Sequence, residues 1–170
     1  FIFNSEWSLN RFKIGLKDFK YFKNNFSVIY QSVNKPKINF KNKNKIISFI
    51  GKLNRAKGYD VFGNTILKVL NKYPDWRSIV IGDEPRERII FDHKRFKKLE
   101  FQNNSKVTSW FKKSDISVVC SRINEPFGRV ALEASSAGCA VIITNRGGLS
   151  EASPSALKIR NLSIANLQKK

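Results

Sequence analysis

One segment with the composition of a buried helix carries a single, unusual carboxylate. Glu133 is the only charged residue between Val130 and Thr144, although 26% of the residues in the chain are charged. The residues around it are mostly Ala, Ser, Val and Leu, which suit a helix that packs closely against a sheet. A carboxylate on such a helix needs a partner. The partner could be a lysine or a backbone group of the protein, or the vicinal hydroxyl groups of a bound ligand.

A second carboxylate, Glu125, lies eight residues earlier in a loop that follows a predicted strand. We expect Pro126 to open the next helix, because proline is well suited to a first helical position. The free amides around Phe127 and Gly128 would then face the ligand, and the helix dipole would favour a phosphate there. Glu133 follows Gly128 by five residues, or roughly 7.5 Å along a helix axis. This offset suits a ribose held beside a diphosphate.

A basic loop bounded by glycines provides a second candidate anion site. The segment Gly51-Lys52-Leu53-Asn54-Arg55-Ala56-Lys57-Gly58 follows a predicted strand and precedes a predicted helix. In doubly wound sheets, ligands bind beyond the carboxyl ends of strands, where glycine lets the backbone approach an anion. The glycine spacing fits neither a Walker A loop nor the dinucleotide fingerprint. In so basic a chain the loop could simply be solvated, but its position after a strand favours an anion site.

The elements that must position these residues alternate along the chain. Short, nearly continuous apolar runs are separated by amphipathic stretches, which is typical of a buried parallel sheet covered by helices. The pattern therefore predicts an α/β fold with a doubly wound parallel sheet, preceded by a linker over Gln31–Asn44. The predicted strands are Ser27–Tyr30, Lys45–Ile50, Ser78–Ile81, Ile116–Val119, Ala140–Thr144 and Ala156–Ile159, and the predicted helices are Trp7–Lys17, Tyr59–Lys72, Ser105–Lys113, Gly128–Ala137 and Ser163–Lys169.

Length and composition indicate one globular domain. The chain has 170 residues, of which 41% are hydrophobic, and no apolar run approaches the ~20 residues that a membrane-spanning helix needs. Cys120 and Cys139 form neither a metal-like spacing nor a disulfide framework, which favours a reducing cytoplasm. His93 lies among charged residues and is expected at the surface. The chain starts at Phe1 without a basic leader, so we expect a chain that continues a longer sequence.

The formal net charge of +19 leaves three interpretations open. They are a nucleic-acid ligand, an anionic membrane surface, and a solvated surface rich in lysine. A nucleic-acid module would be expected to carry a recognition motif, and none is present. The lysines are also scattered along the chain and do not mass in one segment. Much of the charge is therefore expected to be solvated, and a contact with a membrane surface stays open for the rest.

The ordered set of these residues resembles the donor-binding signature of retaining GT-B glycosyltransferases of family 4, the glycosyl transferases group 1. The resemblance covers about residues 28–164 and is nearest to the lipopolysaccharide-core and related polysaccharide glycosyltransferases. The segment Ile2-Phe3-Asn4-Ser5 resembles the last strand of the amino-terminal domain of that family. The residues that carry the signature are Glu125-Pro126-Phe127-Gly128, Leu132-Glu133-Ala134, Gly138, Val141-Ile142 and Gly147-Gly148-Leu149-Ser150-Glu151, preceded by the Gly51–Gly58 loop.

The resemblance also implies a domain organisation and a reaction. Residues 1–34 would be the end of the amino-terminal domain and a linker. Residues 35–170 would be the nucleotide-sugar-binding, Rossmann-like domain of the carboxy-terminal half of a GT-B fold, truncated before its last helices. The implied reaction transfers a sugar from a nucleotide diphosphate sugar to an acceptor with retention at the anomeric carbon, and a fragment of this size is expected to be inactive alone.

Individual residues can be matched to roles in donor binding. Lys52 and Lys57 match the basic pair that grips the donor pyrophosphate, with lysine at position 52 where the family often has arginine. Glu125 matches the residue that hydrogen-bonds the transferred sugar, and Glu133 the residue that holds the ribose. The implied catalytic residues are Glu125, Lys52 and Lys57, and the implied donor-binding residues are Lys52, Lys57, Gly82, Phe101, Glu125, Phe127, Gly128, Arg129 and Glu133.

Two positions depart from the family pattern. Glu100 stands where the family usually has glycine, beside Phe101 in the stretch that binds the base, and Cys120 stands where it usually has proline. No Asp-x-Asp motif is present, so we expect cations of the protein, and no metal ion or other cofactor, to neutralise the diphosphate of a UDP-sugar substrate.

The expected partners are the nucleotide-sugar donor, a glycan or lipid-linked acceptor of lipopolysaccharide or another cell-surface glycan, and the amino-terminal domain that is missing. No nucleic acid is expected. The expected location is the cytoplasm, with a peripheral contact to the inner face of the membrane left open. Two alternatives remain at this point: a nucleotide-sugar-binding domain without catalysis, and a basic α/β domain that binds nucleic acid. Carboxylates in the cleft disfavour the second, because they repel a phosphate backbone.

Overall fold

A small unit at the start of the chain precedes the main sheet. In this computed structural model, which describes residues 1–16 and 25–170, the first elements are β1 (Ile2–Phe3), α1 (Glu6–Gly15) and β2 (Ser27–Val28). The two strands pair in parallel. Helix α1 begins after Ser5, whose hydroxyl accepts a hydrogen bond from the Ser8 amide at 3.0 Å. The predicted end of this helix at Lys17 lies outside the described residues.

Six parallel strands form the main sheet, in the order β5-β4-β3-β6-β7-β8. This order reverses between β3 and β6, as in a doubly wound Rossmann-like sheet, and it confirms the predicted fold class. The strands are β3 (Ile46–Ile50), β4 (Arg77–Ile81), β5 (Phe96–Leu99), β6 (Ile116–Val119), β7 (Ala140–Thr144) and β8 (Leu157–Ile159). The helices between and after them are α2 (Tyr59–Lys72), α3 (Asn104–Lys113), α4 (Arg129–Ser136), α5 (Leu149–Ala152) and α6 (Ile164–Gln168).

Successive side chains of each strand point to opposite faces of the sheet, and each face carries a hydrophobic core. In β3, Ile47 and Phe49 pack with α2 and α6, whereas Ile46 packs on the other face with α3, α4 and α5. On that second face α4 contributes Ala131 and Ala134, both fully buried. Small side chains let α4 approach the sheet closely, so the position of its amino-terminal end is determined by the core.

Most predicted elements are confirmed within a few residues, with three differences. β5 was not predicted, because an edge strand with exposed lysines lacks the apolar run of a central strand. The short helix α5 was also missed. Pro126 does not open a helix, since α4 begins at Arg129 after Gly128 in the left-handed region at φ 105°. The predicted start at Gly128 was therefore one residue early, and the expected role of Pro126 was wrong.

The small amino-terminal unit is docked onto the loops of the main sheet. The hydroxyl groups of Ser5 and Ser8 both donate to the carbonyl oxygen of Pro126, at 2.5 and 3.0 Å. The Glu151 carboxylate accepts hydrogen bonds from the first two amides of α1, those of Glu6 at 2.7 Å and Trp7 at 2.9 Å. A carboxylate at a helix amino terminus is favourable because the amides there have no intrahelical partners. This docking ties α1 to the segment that contains Glu125.

Candidate donor site

The basic loop and the acidic loop meet at the switch point of the sheet. β3 and β6 are neighbours, and ligands of doubly wound sheets bind beyond the carboxyl ends of such strands. The loops that follow them, residues 51–58 and 120–128, border a cavity of about 250 Å³, here called the central cavity. It is lined by Phe49, Ile50, Gly51, Lys57, Val118, Val119, Ser121, Glu125, Gly128, Arg129 and Val130.

Glycine is required at the end of the loop after β3. Gly58 adopts φ 76°, a left-handed conformation that other residues rarely adopt. A side chain there would also meet the carbonyl oxygen of Cys120 at 2.1 Å. Upstream, the Asn54 side chain accepts a hydrogen bond from the Lys57 amide at 2.9 Å. The loop therefore presses against the segment after β6 and holds Lys57 at the border of the cavity.

An ion pair joins the loop after β6 to the first turn of α2, directly after the basic loop. The guanidinium of Arg122 makes two hydrogen bonds to the Asp60 carboxylate, at 2.6 and 2.8 Å. The Arg122 amide also donates to the carbonyl oxygen of Ala56 at 2.8 Å. Partial burial alone would raise the pKa of Asp60, but the hydrogen bonds and charge of Arg122 lower it overall. Arg122 is thus a structural residue that sequence reasoning did not single out.

Lys57 and Glu125 form an ion pair at the border of the central cavity. The Lys57 ammonium lies 2.5 Å from Oε1 of Glu125, and the two side chains are 29% and 14% exposed. The same oxygen accepts a hydrogen bond from the hydroxyl of Ser121 at 2.7 Å. Ser121 is buried, and its carbonyl oxygen accepts from the Thr144 hydroxyl at 2.6 Å. Ser121 thus orients Glu125, a role that its position after a buried strand could have suggested.

The backbone of Glu125 is held by the loop after β7. The Gly148 amide donates to the Glu125 carbonyl oxygen at 2.7 Å, and Glu125 pairs with Gly147 in an isolated parallel bridge. Gly147 has φ 63°, and a Cβ atom there would lie 2.1 Å from the Glu125 carbonyl oxygen. The double glycine therefore permits an approach that no other residue would allow, and it determines where Glu125 sits.

The amino-terminal end of α4 opens onto the central cavity. Arg129 and Val130 line that cavity and occupy the first two helical positions, where amides have no intrahelical acceptor. Gly128 precedes them, and a Cβ atom there would lie 2.5 Å from the Leu149 side chain. Gly128 lines the cavity as well, so the amides of Arg129 and Val130 join those expected at Phe127 and Gly128 as candidate donors to an anion. The helix dipole still favours an anion at this point.

Glu133 has a partner within its own helix. The Arg129 guanidinium donates to Glu133 Oε1 at 3.1 Å, and the Glu133 side chain is 17% exposed. Both residues line a wider, adjoining cavity of about 690 Å³, the lateral cavity, and Arg129 also borders the central cavity. Because one residue joins the two cavities, a ligand could extend from the Lys57–Glu125 pair to Glu133. The other lining residues are Ser32, Val33, Asn34, Pro36, Asn104, Ser105, Thr108, Ser109, Lys112 and Ser136.

Several predicted site residues lie apart from the two cavities. Lys52 is exposed in the basic loop and lines neither cavity. Gly82 packs against Gly51, whose carbonyl oxygen a Cβ atom at Gly82 would meet at 1.9 Å. Phe127 is 3% exposed, and its ring stacks on Tyr30 with centroids 5.9 Å apart, so its side chain belongs to the core. Phe101 is 76% exposed and lines neither cavity.

Most of the chain matches a known family. A model of the family "Glycosyl transferases group 1" matches residues 31–155, so the chain is a member of the glycosyl transferases group 1. The candidate glycosyltransferase YtcC of Bacillus subtilis (strain 168) is 30% identical over 122 residues, which are 63% of this chain and 30% of YtcC. The lipopolysaccharide core biosynthesis mannosyltransferase LpsB of Rhizobium meliloti (strain 1021) is 28% identical over 117 residues, 63% of this chain and 33% of LpsB.

Solved structures show the same fold. The crystal structure of Anabaena HepE in complex with UDP-glucose matches with a TM-score of 0.79 at 19% identity, covering 99% of this chain and 51% of HepE. The fold of the chain is therefore that of half a GT-B glycosyltransferase. The chain spans about a third of the length of the curated relatives named above and about half that of HepE.

Two kinds of feature are absent from the described parts of the chain, a group of metal-binding side chains and a membrane-spanning helix. Among residues 1–16 and 25–170, no three His, Cys, Asp or Glu side chains are grouped so that they could hold a metal ion. Within the same residues, no helix is long and apolar enough to cross a membrane.

Proposed function

We propose that the chain is the donor-binding half of an enzyme that transfers a sugar from a nucleotide diphosphate sugar to an acceptor, with retention at the anomeric carbon. The observation that carries the proposal is the meeting of Lys57, Glu125 and the amino-terminal end of α4 around one cavity. A lysine and helix amides suit a diphosphate, and a carboxylate beside them suits sugar hydroxyl groups. HepE, which shares the fold, binds UDP-glucose, and this favours a UDP-sugar as the donor.

In this proposal each side chain has a separate task. The departing diphosphate gains negative charge, which Lys52, Lys57 and the first amides of α4 stabilise. Removing one such preorganised donor typically lowers the rate by about 10²–10³. Glu125 binds the transferred sugar and Glu133 binds the ribose. The cations of the protein take the role that a metal ion has in other transferases, so no cofactor is required.

The acceptor is proposed to be a lipopolysaccharide or another cell-surface glycan, because the relative LpsB acts in lipopolysaccharide core biosynthesis. Its binding site would lie on an amino-terminal domain of which residues 1–34 are the end, while residues 35–170 bind the donor. Reaction would take place in the cytoplasm. The amino-terminal domain would also form the second wall of the donor cleft. When that domain is not present, water reaches the diphosphate and the electrostatic gain of a closed cleft is lost. We therefore expect the 170-residue chain to bind the donor weakly and to transfer nothing.

Calorimetric titration of the purified chain with UDP, GDP, ADP and their glucose conjugates tests this proposal. We expect measurable binding of UDP and UDP-glucose at up to millimolar concentration, and no sugar transfer to added lipopolysaccharide. No heat and no thermal shift with any nucleotide would contradict donor binding. Transfer that is lost in Lys57→Ala would contradict the need for a second domain, because that loss excludes a contaminating enzyme.

A further inference from the structure

Lys57 and Glu125 neutralise each other at the place where the diphosphate and the sugar of a donor would bind. We infer that this ion pair is a specificity element: Lys57 passes from Glu125 to the diphosphate, and only a ligand that also offers sugar hydroxyl groups to Glu125 compensates both residues. The inference rests on the proposed function and adds to it a means by which the site distinguishes the donor from the nucleoside diphosphate product.

Glu125 and a diphosphate compete for Lys57, because two anions that share one ammonium repel each other. Its ammonium lies 2.5 Å from Glu125 Oε1, and both side chains are mostly buried. In this position the charge of Lys57 is already satisfied, so a diphosphate must compete with a carboxylate for it. Its main chain is held in place by the cap from Asn54, so the exchange is a movement of the side chain alone.

The other cations near the cavity are not occupied in the same way. Lys52 is exposed and makes no ion pair with any residue in 1–16 or 25–170. Arg129 pairs with Glu133, but its side chain is 57% exposed, so water screens that pair more strongly. Lys57 is thus the cation whose release from a carboxylate carries the larger penalty.

The free-energy penalty of moving Lys57 away from Glu125 depends on which donor replaces it beside that carboxylate. Once Lys57 has moved, Ser121 remains as a donor to Oε1, and no donor from the described part of the chain reaches Oε2. A carboxylate left short of donors in a partly buried site is unfavourable, and a nearby diphosphate adds repulsion. The hydroxyl groups of a sugar would supply the missing donors. After the sugar has been transferred, Lys57 would pair with Glu125 again, and the nucleoside diphosphate product would be released more easily.

Replacing the Glu125 carboxylate by an amide should therefore increase the affinity for a diphosphate that carries no sugar. We would measure the binding of inorganic pyrophosphate and UDP by calorimetry for the wild type, Glu125→Gln, Lys57→Met and the double variant. We expect Glu125→Gln to bind both ligands about two- to tenfold more tightly, since Lys57 is free from the start. In the Lys57→Met background the same change should produce no gain, because the competing cation is gone. UDP-glucose should gain less than UDP from Glu125→Gln.

Asp83→Asn is the matched control, because Asp83 is an exposed carboxylate on the loop after β4 that pairs with no cation in the described ranges. It removes the same charge near the basic loop but leaves Lys57 paired. An equal gain in Asp83→Asn, an unchanged or weaker affinity in Glu125→Gln, or a gain that persists without Lys57 would each overturn the inference while the proposed function stands. Absence of any UDP or pyrophosphate binding by the wild type would remove the proposed function as well. Circular dichroism verifies that each variant is folded.

Discussion

At the scale of single residues, Glu133 has two possible roles that can be distinguished by experiment. It can bind the ribose of the donor, or it can only stabilise its own helix. It lies on the lateral cavity, and its partner Arg129 can also reach a ligand in the central cavity. A purely structural carboxylate would stabilise α4 through an i to i+4 ion pair, which contributes only a few tenths of a kcal/mol. A carboxylate that accepts hydrogen bonds from a ribose would instead affect only those ligands that contain a ribose.

We predict that Glu133→Ala weakens UDP binding by roughly ten- to a hundredfold, the range expected for lost hydrogen bonds to a charged group. Binding of inorganic pyrophosphate should change little, because that ligand has no ribose. The wild type should also prefer UDP to 2′-deoxy-UDP, and the variant should lose this preference. Competition titrations measure all three. Equal losses for pyrophosphate and UDP would contradict the ribose assignment.

At the scale of elements, one partly buried cation contacts the carboxyl ends of two helices on the face of the sheet that carries α4. The Lys43 ammonium donates to the carbonyl oxygens of Ser114 at 2.5 Å and of Phe111 and Ala137 at 3.2 Å each. These groups lie at the carboxyl ends of α3 and α4, where carbonyl groups lack intrahelical partners and the dipole favours a cation. Lys43 comes from the segment that was predicted to be a mere linker.

We predict that Lys43→Met lowers the free energy of unfolding by about 1–3 kcal/mol, because it removes a charged donor from three part-buried carbonyl groups. Lys41→Met is the control: Lys41 is exposed in the same segment, and its replacement should change stability by no more than about 0.5 kcal/mol. Urea denaturation followed by circular dichroism compares the two. Equal small effects would show that water replaces the ammonium at no cost.

At the scale of the whole molecule, part of the net charge of +19 lies at the end of the sheet opposite to the donor site. A shallow cavity of about 720 Å³ at the start of β4 and β5 is lined by Arg77, Lys94, Arg95 and Lys97, with Asp75 as its acidic residue. Trp110 also lines it, and tryptophan with basic residues is a combination favoured at membrane surfaces. We therefore propose a peripheral contact with anionic lipid at this face.

We predict that the chain sediments with vesicles containing anionic phosphatidylglycerol and that 0.5 M salt releases it, because screening weakens contacts between exposed charges. The pair Lys94→Glu and Lys97→Glu should reduce binding by at least about tenfold, since each basic residue near the surface contributes about 1 kcal/mol. The pair Lys158→Glu and Arg160→Glu, on exposed positions in and just after the opposite edge strand β8, makes the same charge change elsewhere. Equal losses in both pairs, or binding to neutral vesicles, would contradict a defined membrane face.

The sequence by itself determined the class of fold and the loops that carry the chemistry. Apolar runs, helical spacing and glycines are local signals, and they placed the basic loop after β3 and the acidic loop after β6. The same signals missed β5, because an edge strand needs no continuous apolar run. They also misplaced the start of α4, because the left-handed turn at Gly128 depends on its contact with Leu149.

Only the tertiary structure decided which of the candidate residues contact one another. Lys57 and Glu125 are 68 residues apart, and they meet because the sheet places β3 beside β6. Phe127 is buried and stacks on Tyr30, which is 97 residues earlier in the chain. Periodicity reports how a segment folds with its near neighbours. The partner of a charged or aromatic side chain depends on which distant segment the packed core brings beside it.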